Sequence, residues 1–119
     1  MDCLFCKLRD ELAGKAVYPA GKAVYQDAQC FVLQDLHPQA PVHLLVIPRK
    51  HIASPDAAGS DDEQLIGHLM QVASQLARDR GIAADGYRLV VNNHQHGGQT
   101  IFHLHVHLLG GRQMTWPPG

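Results

Sequence analysis

The alternation of apolar and polar residues is sharpest near the C-terminus, where His103, His105 and His107 interleave with Leu104, Val106 and Leu108. A period of two predicts a strand over 103–109, because successive side chains of a strand point to opposite faces. The three imidazoles then share one face and the aliphatic residues turn into a core. Short runs rich in Val, Ile and Leu, bounded by Pro, Gly and Asp, predict further strands over 24–27, 30–36, 43–48 and 87–92. Helical spacing marks two other stretches. Leu65, Leu69, Val72 and Leu76, widened by Ile66, Ala73 and Ala77, trace one face of a helix over 60–80. Ser60 and Glu63 fit a capping box, Asp61 and Asp62 suit its positive end, and Gly81 stops it. A shorter helix is predicted over 2–12, with Asp2 as N-cap and Leu4, Phe5, Leu8 and Leu12 on one face.

These elements predict an α+β fold: about five strands in an antiparallel sheet, one short helix and one long one, in a single domain over 1–119. The long helix should cover the side of the sheet opposite the histidines. His68, on that helix, reads as a surface or core-edge residue. Gly14-Lys15-Ala16-Val17-Tyr18 recurs as Gly21-Lys22-Ala23-Val24-Tyr25, a local duplication that lengthens a loop.

A formal net charge of −1 supplies no global field to recruit nucleic acid or an anionic membrane. No apolar run approaches the ~20 residues of a membrane-spanning helix, and none has the form of a signal peptide, so the cytoplasm is the expected compartment. The three cysteines, Cys3, Cys6 and Cys30, argue against a disulfide framework. Cys3 and Cys6 form a C-x-x-C pair suited to metal or redox chemistry, and Cys30 reads as a small buried hydrophobe. Trp116, the only tryptophan, sits in an irregular tail and suits an interface.

Three imidazoles on one face demand partners, and a strand that needed only to pack would carry Thr, Val or Tyr instead. Three chemistries fit. One histidine could attack phosphorus, with a second histidine or a hydroxyl protonating the leaving group. The face could bind a metal that activates water. Or the chain could bind a nucleotide without turning it over. Gly97-Gly98, just upstream, allows backbone amides to approach an anion and favours a phosphate-bearing ligand. The lack of an acidic residue near the strand weighs against the metal.

His103-Leu104-His105-Val106-His107-Leu108-Leu109 resembles the His-x-His-x-His-x-x signature of the histidine-triad (HIT) superfamily. Asp35-Leu36-His37-Pro38-Gln39-Ala40-Pro41-Val42-His43, Val46-Ile47-Pro48-Arg49-Lys50-His51, Gly86 through Asn92, and Gly97-Gly98-Gln99-Thr100 are similar to further segments of it, in the same order. The tail from Leu109 to Gly119 resembles that of the Hint branch, the histidine-triad nucleotide-binding proteins. The resemblance implies a HIT-like fold and a purine nucleoside phosphoramidase, which cleaves the P–N bond of nucleoside 5′-phosphoramidates through a nucleotidyl-histidine intermediate. Dinucleoside polyphosphate hydrolases and nucleotidyl transferases of the superfamily are the alternatives. On the family pattern His105 is the nucleophile and His107 contacts the phosphate. Gly98, Gln99 and Thr100 complete the phosphate site, and Asn92 orients it. Asp35 holds the ribose, with Leu36 beside the nucleoside and Phe5 and Leu8 in the base pocket. A homodimer is implied, with Trp116 near the partner's site. The resemblance implies that catalysis requires no cofactor. The resemblance to bacterial members with an N-terminal C-x-x-C implies a structural zinc on Cys3, Cys6, His51 and His103. Thr100 stands where the branch carries Ser, the duplication lies near the expected base pocket, and His94 and His96 in the phosphate loop read as solvated residues.

Overall fold

The computed structural model describes residues 3–12 and 23–119. Asp2 and most of the duplicated segment lie outside the described residues. A helix, α1, spans Leu4–Leu12, and a longer one, α2, spans Glu63–Asp79. Five strands follow the order β1 Tyr25–Gln26, β2 Cys30–Gln34, β3 Val42–Pro48, β4 Tyr87–Val90 and β5 Val106–Gly110. They form one sheet in the spatial order β1-β2-β3-β5-β4, antiparallel throughout. The expected α+β architecture is therefore present. Among the described residues no helix is long and apolar enough to cross a membrane.

Strand alternation divides the core into two layers. Cys30, Val32, Leu44, Val46, Val106 and Leu108 face α2, where Leu69, Val72, Ala73, Leu76 and Ala77 meet them. Phe31, Leu33, Leu45 and Ile47 face the other way, under Phe5 and Leu12 of α1. The long helix thus lies opposite the histidines, as its apolar stripe requires. Leu108 is fully buried in the α2 layer. Leu108→Ala should cost about 3 kcal/mol, from lost burial plus the cavity left behind, read as a shift in guanidinium midpoint at unchanged slope.

Several boundaries differ from the sequence expectation. The histidine strand begins only at Val106, so His103 and His105 precede it. The β3–β5 ladder ends at Val46↔Val106, two residues before Pro48, which has no N–H to continue it. Beyond that point Leu104 donates its N–H to Ile52 O at 2.6 Å. Leu4 is exposed and leaves the stripe of α1 to Phe5, Leu8 and Leu12. The 60–80 helix opens with a single 3-10 turn at Ser60–Asp62, and the capping carboxylate belongs to Asp62, which accepts from Gly59 N–H at 3.0 Å. Lys50 holds the same carboxylate at 2.5 Å, an anchor that Ser60 lacks. At the other end Gly81, at φ 73°, lets Ile82 N–H reach back to Ala77 O at 3.0 Å, the closure expected of it.

Candidate active site

Although only His107 lies on the regular strand, the extended lead-in keeps the period of two. Leu104 and Val106 enter the α2 layer, and the three imidazoles remain on the α1 side. His103 and His105 are buried, and the His105 and His107 rings lie 5.0 Å apart.

Hydrogen bonds fix the protons on these rings. His105 Nδ1 lies 2.7 Å from His103 O. A carbonyl only accepts, so Nδ1 carries the proton and Nε2 keeps a lone pair. Burial lowers the pKa of His105 from its ordinary value, so the ring is neutral at pH 7. His107 Nδ1 lies 2.9 Å from His43 Nε2, and His43 Nδ1 accepts from Gln39 N–H at 3.0 Å. His43 therefore carries its proton on Nε2 and donates it, leaving His107 protonated on Nε2. Burial, then the neighbouring His105 and His43, push the pKa of His107 down to about 4. Both rings therefore titrate below the ordinary imidazole range, because in the dry interior the charged form loses its hydration.

The sign of the resulting pH dependence follows. Between pH 4 and 6.5 the unfolded chain protonates His107 and the folded one does not, so stability falls as pH falls through that window. The loss due to this group should be on the order of 1–3 kcal/mol. Denaturant melts of wild type and His107→Asn at pH 7.5 and 5 check it, because the variant should show the shallower dependence.

His43 is a functional candidate that sequence reasoning passed over. Its register opposite Leu109, two residues along the ladder from the Leu45↔His107 pair and so on the same face, needed the strand pairing to become visible. Asp35 Oδ2 stands 3.4 Å from His43 Nε2, while Asp35 Oδ1 accepts from His37 N–H at 2.8 Å. Asp35, His43 and His107 are close enough together to suggest a metal site. The Gln39 amide speaks against it, because it occupies His43 Nδ1 and leaves Nε2 as a donor rather than a ligand.

The other expected residues are placed unevenly. Phe5 is only 2% exposed, with its ring edge-on to His103 at 5.9 Å and His105 at 5.1 Å. It is a wedge beneath the histidines and not an open wall of a base pocket. Leu8 packs partly buried beside it, and Leu36 is 85% exposed. Asn92 Nδ2 donates to Gly97 O at 2.5 Å. Gly98 N–H donates to Gln95 O and Gln99 N–H to His94 O, each at 3.0 Å. These two amides close the loop on itself in a tight turn. The Gln99 side chain is buried and donates to Ala53 O at 2.7 Å. Thr100 is exposed, and its hydroxyl has no partner among the described residues. His94 and His96 are exposed, as expected of solvated loop residues. Trp116 is 80% exposed and lies over Arg88 of β4, 6.0 Å from the guanidinium.

The C-x-x-C pair converges with two histidines. His103 Nδ1 lies 3.3 Å from Cys3 Sγ, 3.5 Å from Cys6 Sγ and 3.1 Å from His51 Nδ1. Cys6 Sγ lies 3.3 Å from His51 Nδ1. Around a tetrahedral zinc, N–N and S–N ligand separations are about 3.3 and 3.6 Å. His103 Nε2 donates to Pro48 O at 2.8 Å, which aims a bare Nδ1 at the cluster in the manner of a supported metal ligand. The donor set therefore fits a closed site. A second mixed cluster does not. His68 Nε2 and Tyr25 OH reach Asp27 Oδ2 at 2.7 and 2.8 Å, too short for two ligands of one tetrahedral ion and right for hydrogen bonds. That net ties α2 to the β1–β2 turn and gives His68 a structural partner. Beside it, burial pushes the Cys30 thiol up to about 12, so it is inert.

A family model described as HIT domain matches residues 19–114. An uncharacterized HIT-like protein of Synechocystis is 51% identical over 96 residues, covering 81% of this chain and 83% of its own. The crystal structure of a HIT family hydrolase from Legionella pneumophila superposes with a TM-score of 0.90 at 46% identity, covering 99% of this chain and 100% of its own. A zinc-bound histidine triad family protein from Mycobacterium smegmatis superposes at 0.72 with 26% identity, covering 94% of this chain and 76% of its own. With its fold, its histidines and these relatives in agreement, the chain belongs to the histidine-triad family.

Proposed function

We propose that this protein is a nucleotide-binding hydrolase that cleaves the P–N bond of purine nucleoside 5′-phosphoramidates. The observation that carries the reading is the His105 Nδ1–H···O=C bond of His103, which leaves Nε2 of a neutral ring as a lone pair. A neutral imidazole with its other nitrogen tethered is a prepared nucleophile. His105 Nε2 attacks phosphorus, the P–N bond breaks, and the amine leaves with a proton. Water then attacks the nucleotidyl-His105 adduct, releasing the nucleoside monophosphate and regenerating the ring. His107 Nε2–H donates to a non-bridging phosphate oxygen and stabilises charge that builds there. The Thr100 hydroxyl passes a solvent proton to the departing nitrogen. Asp35 accepts from the ribose hydroxyls, and the exposed Leu36, with Leu8, covers the nucleoside. The hydrolase reading is supported by the Legionella relative.

Cys3, Cys6, His51 and His103 would hold a zinc ion, supported by the fit of their separations and by the zinc-bound mycobacterial relative. A four-ligand site has no open position, so the ion would supply structure and no catalytic water. The chain acts as a homodimer in this reading. Among the described residues the outer edge of β4 is unpaired, and Trp116 stands exposed over that same strand.

The test is AMP release from adenosine 5′-phosphoramidate, compared with hydrolysis of a dinucleoside polyphosphate under the same conditions. Faster turnover of the phosphoramidate is expected. Turnover of the polyphosphate alone would move the protein to another branch of the family.

A further inference from the structure

We propose that Arg112 is a positioning residue that, acting through Gln39, fixes which nitrogens of His43 and His107 carry protons. The proposal rests on the assignment of His107 Nε2–H as the phosphate donor. Arg112 Nε donates to Gln39 O at 2.9 Å. The N–H of the same residue donates to His43 Nδ1 at 3.0 Å, and His43 Nε2 meets His107 Nδ1 at 2.9 Å. A backbone N–H cannot accept, so it permits only one neutral tautomer of His43. That tautomer in turn permits only one of His107, with its proton on the nitrogen free to face phosphate.

Without the amide, the His43–His107 pair could also form with both protons exchanged, opposed only by Asp35 Oδ2 at the longer distance of 3.4 Å from His43 Nε2. His107 would then present a lone pair to the phosphate oxygens, and attraction would become repulsion. The placement of Gln39 therefore decides the sign of an interaction at the reacting centre. Pro38 and Pro41 of the loop lack amide protons and His37 N–H is committed to Asp35 Oδ1, so among residues 37–41 only Ala40 carries another amide. The tail is built to hold this loop. β5 ends opposite the start of β3, at Val42↔Gly110. Gly111 follows at φ 92°, where a Cβ would come within 2.9 Å of Pro41 Cβ. Arg112 thus leaves the sheet directly against the residues it holds.

The experiment compares full-length wild type, Arg112→Ala and Arg112→Lys, ¹⁵N-labelled and carrying whatever metal they purify with. Long-range ¹H–¹⁵N correlation at neutral pH reads the tautomer of each histidine. Wild type should show His43 and His107 each protonated on Nε2. Arg112→Ala should shift both toward a mixture and lower kcat about two- to tenfold at nearly unchanged KM, the scale of one lost hydrogen bond. Arg112→Lys, which keeps one donor, should fall between. Wild-type nitrogen shifts on both rings in Arg112→Ala would overturn the proposal, whatever happens to the rate. If wild type fails to turn over phosphoramidates, the functional reading falls, while the nitrogen shifts still decide the role of Arg112.

Discussion

His105→Ala should lower AMP release from adenosine 5′-phosphoramidate by at least about 10³-fold while AMP still binds, because removing a nucleophile removes the covalent route altogether. The site is arranged so that no neighbour can take over. His103 Nε2 is committed to Pro48 O, and its Nδ1 faces the two thiols. His107 Nδ1 is committed to His43. Only His105 offers an unengaged imidazole lone pair within the triad. Phe5 and the His103 carbonyl shape the space around that ring, so alanine should leave the surrounding fold standing. Titration with AMP separates the two effects. Retained binding with lost turnover identifies His105 as the reacting group, whereas binding lost in parallel would assign it to holding the phosphate.

Metal removal should act on stability far more than on chemistry. A zinc ion on Cys3, Cys6, His51 and His103 would pin α1 to the chain just after β3 and to the extended lead-in of β5 that carries His105. Stripping it, or replacing Cys6 with Ala, should lower the melting temperature by roughly 10–20 °C, the scale expected when a ligand whose Kd lies far below its free concentration is lost from a domain of this size. Near one zinc per chain by elemental analysis is expected for wild type and well below that for Cys6→Ala. Turnover measured well below the lowered melting temperature should fall much less than in His105→Ala. A chelated protein that melts with the wild type would contradict the site. One that stays folded but loses all turnover would mean that the metal takes part in the reaction.

Much of this could be read along the chain. The period of two through His103–Leu108 placed imidazoles and aliphatic residues on opposite sides. The stripe on α2 correctly chose the side it covers. Both signals are local, repeated and strong. What escaped depended on partners distant in sequence. The truncation of β5 comes from Pro48 on the neighbouring strand. The burial of Phe5 comes from the convergence of α1 with two histidines about 100 residues away in the chain. His43 gained its place only from strand register. The loop before the histidines differs for another reason: the glycines that let amides approach an anion also let the loop turn, and the turn uses the Gly98 and Gln99 amides to close. The Asp27–His68 contact joins a loop to a helix, and no periodicity announces such a pair.

The central claim is a covalent bond between the nucleotide and Nε2 of His105. Rapid acid or base quench of the protein with excess adenosine 5′-phosphoramidate, followed by intact mass and peptide mapping, tests it most directly. The account predicts a transient adenylylated species, mapped to His105 and missing from His105→Ala. Turnover at the full wild-type rate, with no adduct at any quench time and with inversion at a chiral phosphorus, would mean that water attacks the substrate directly and would contradict it.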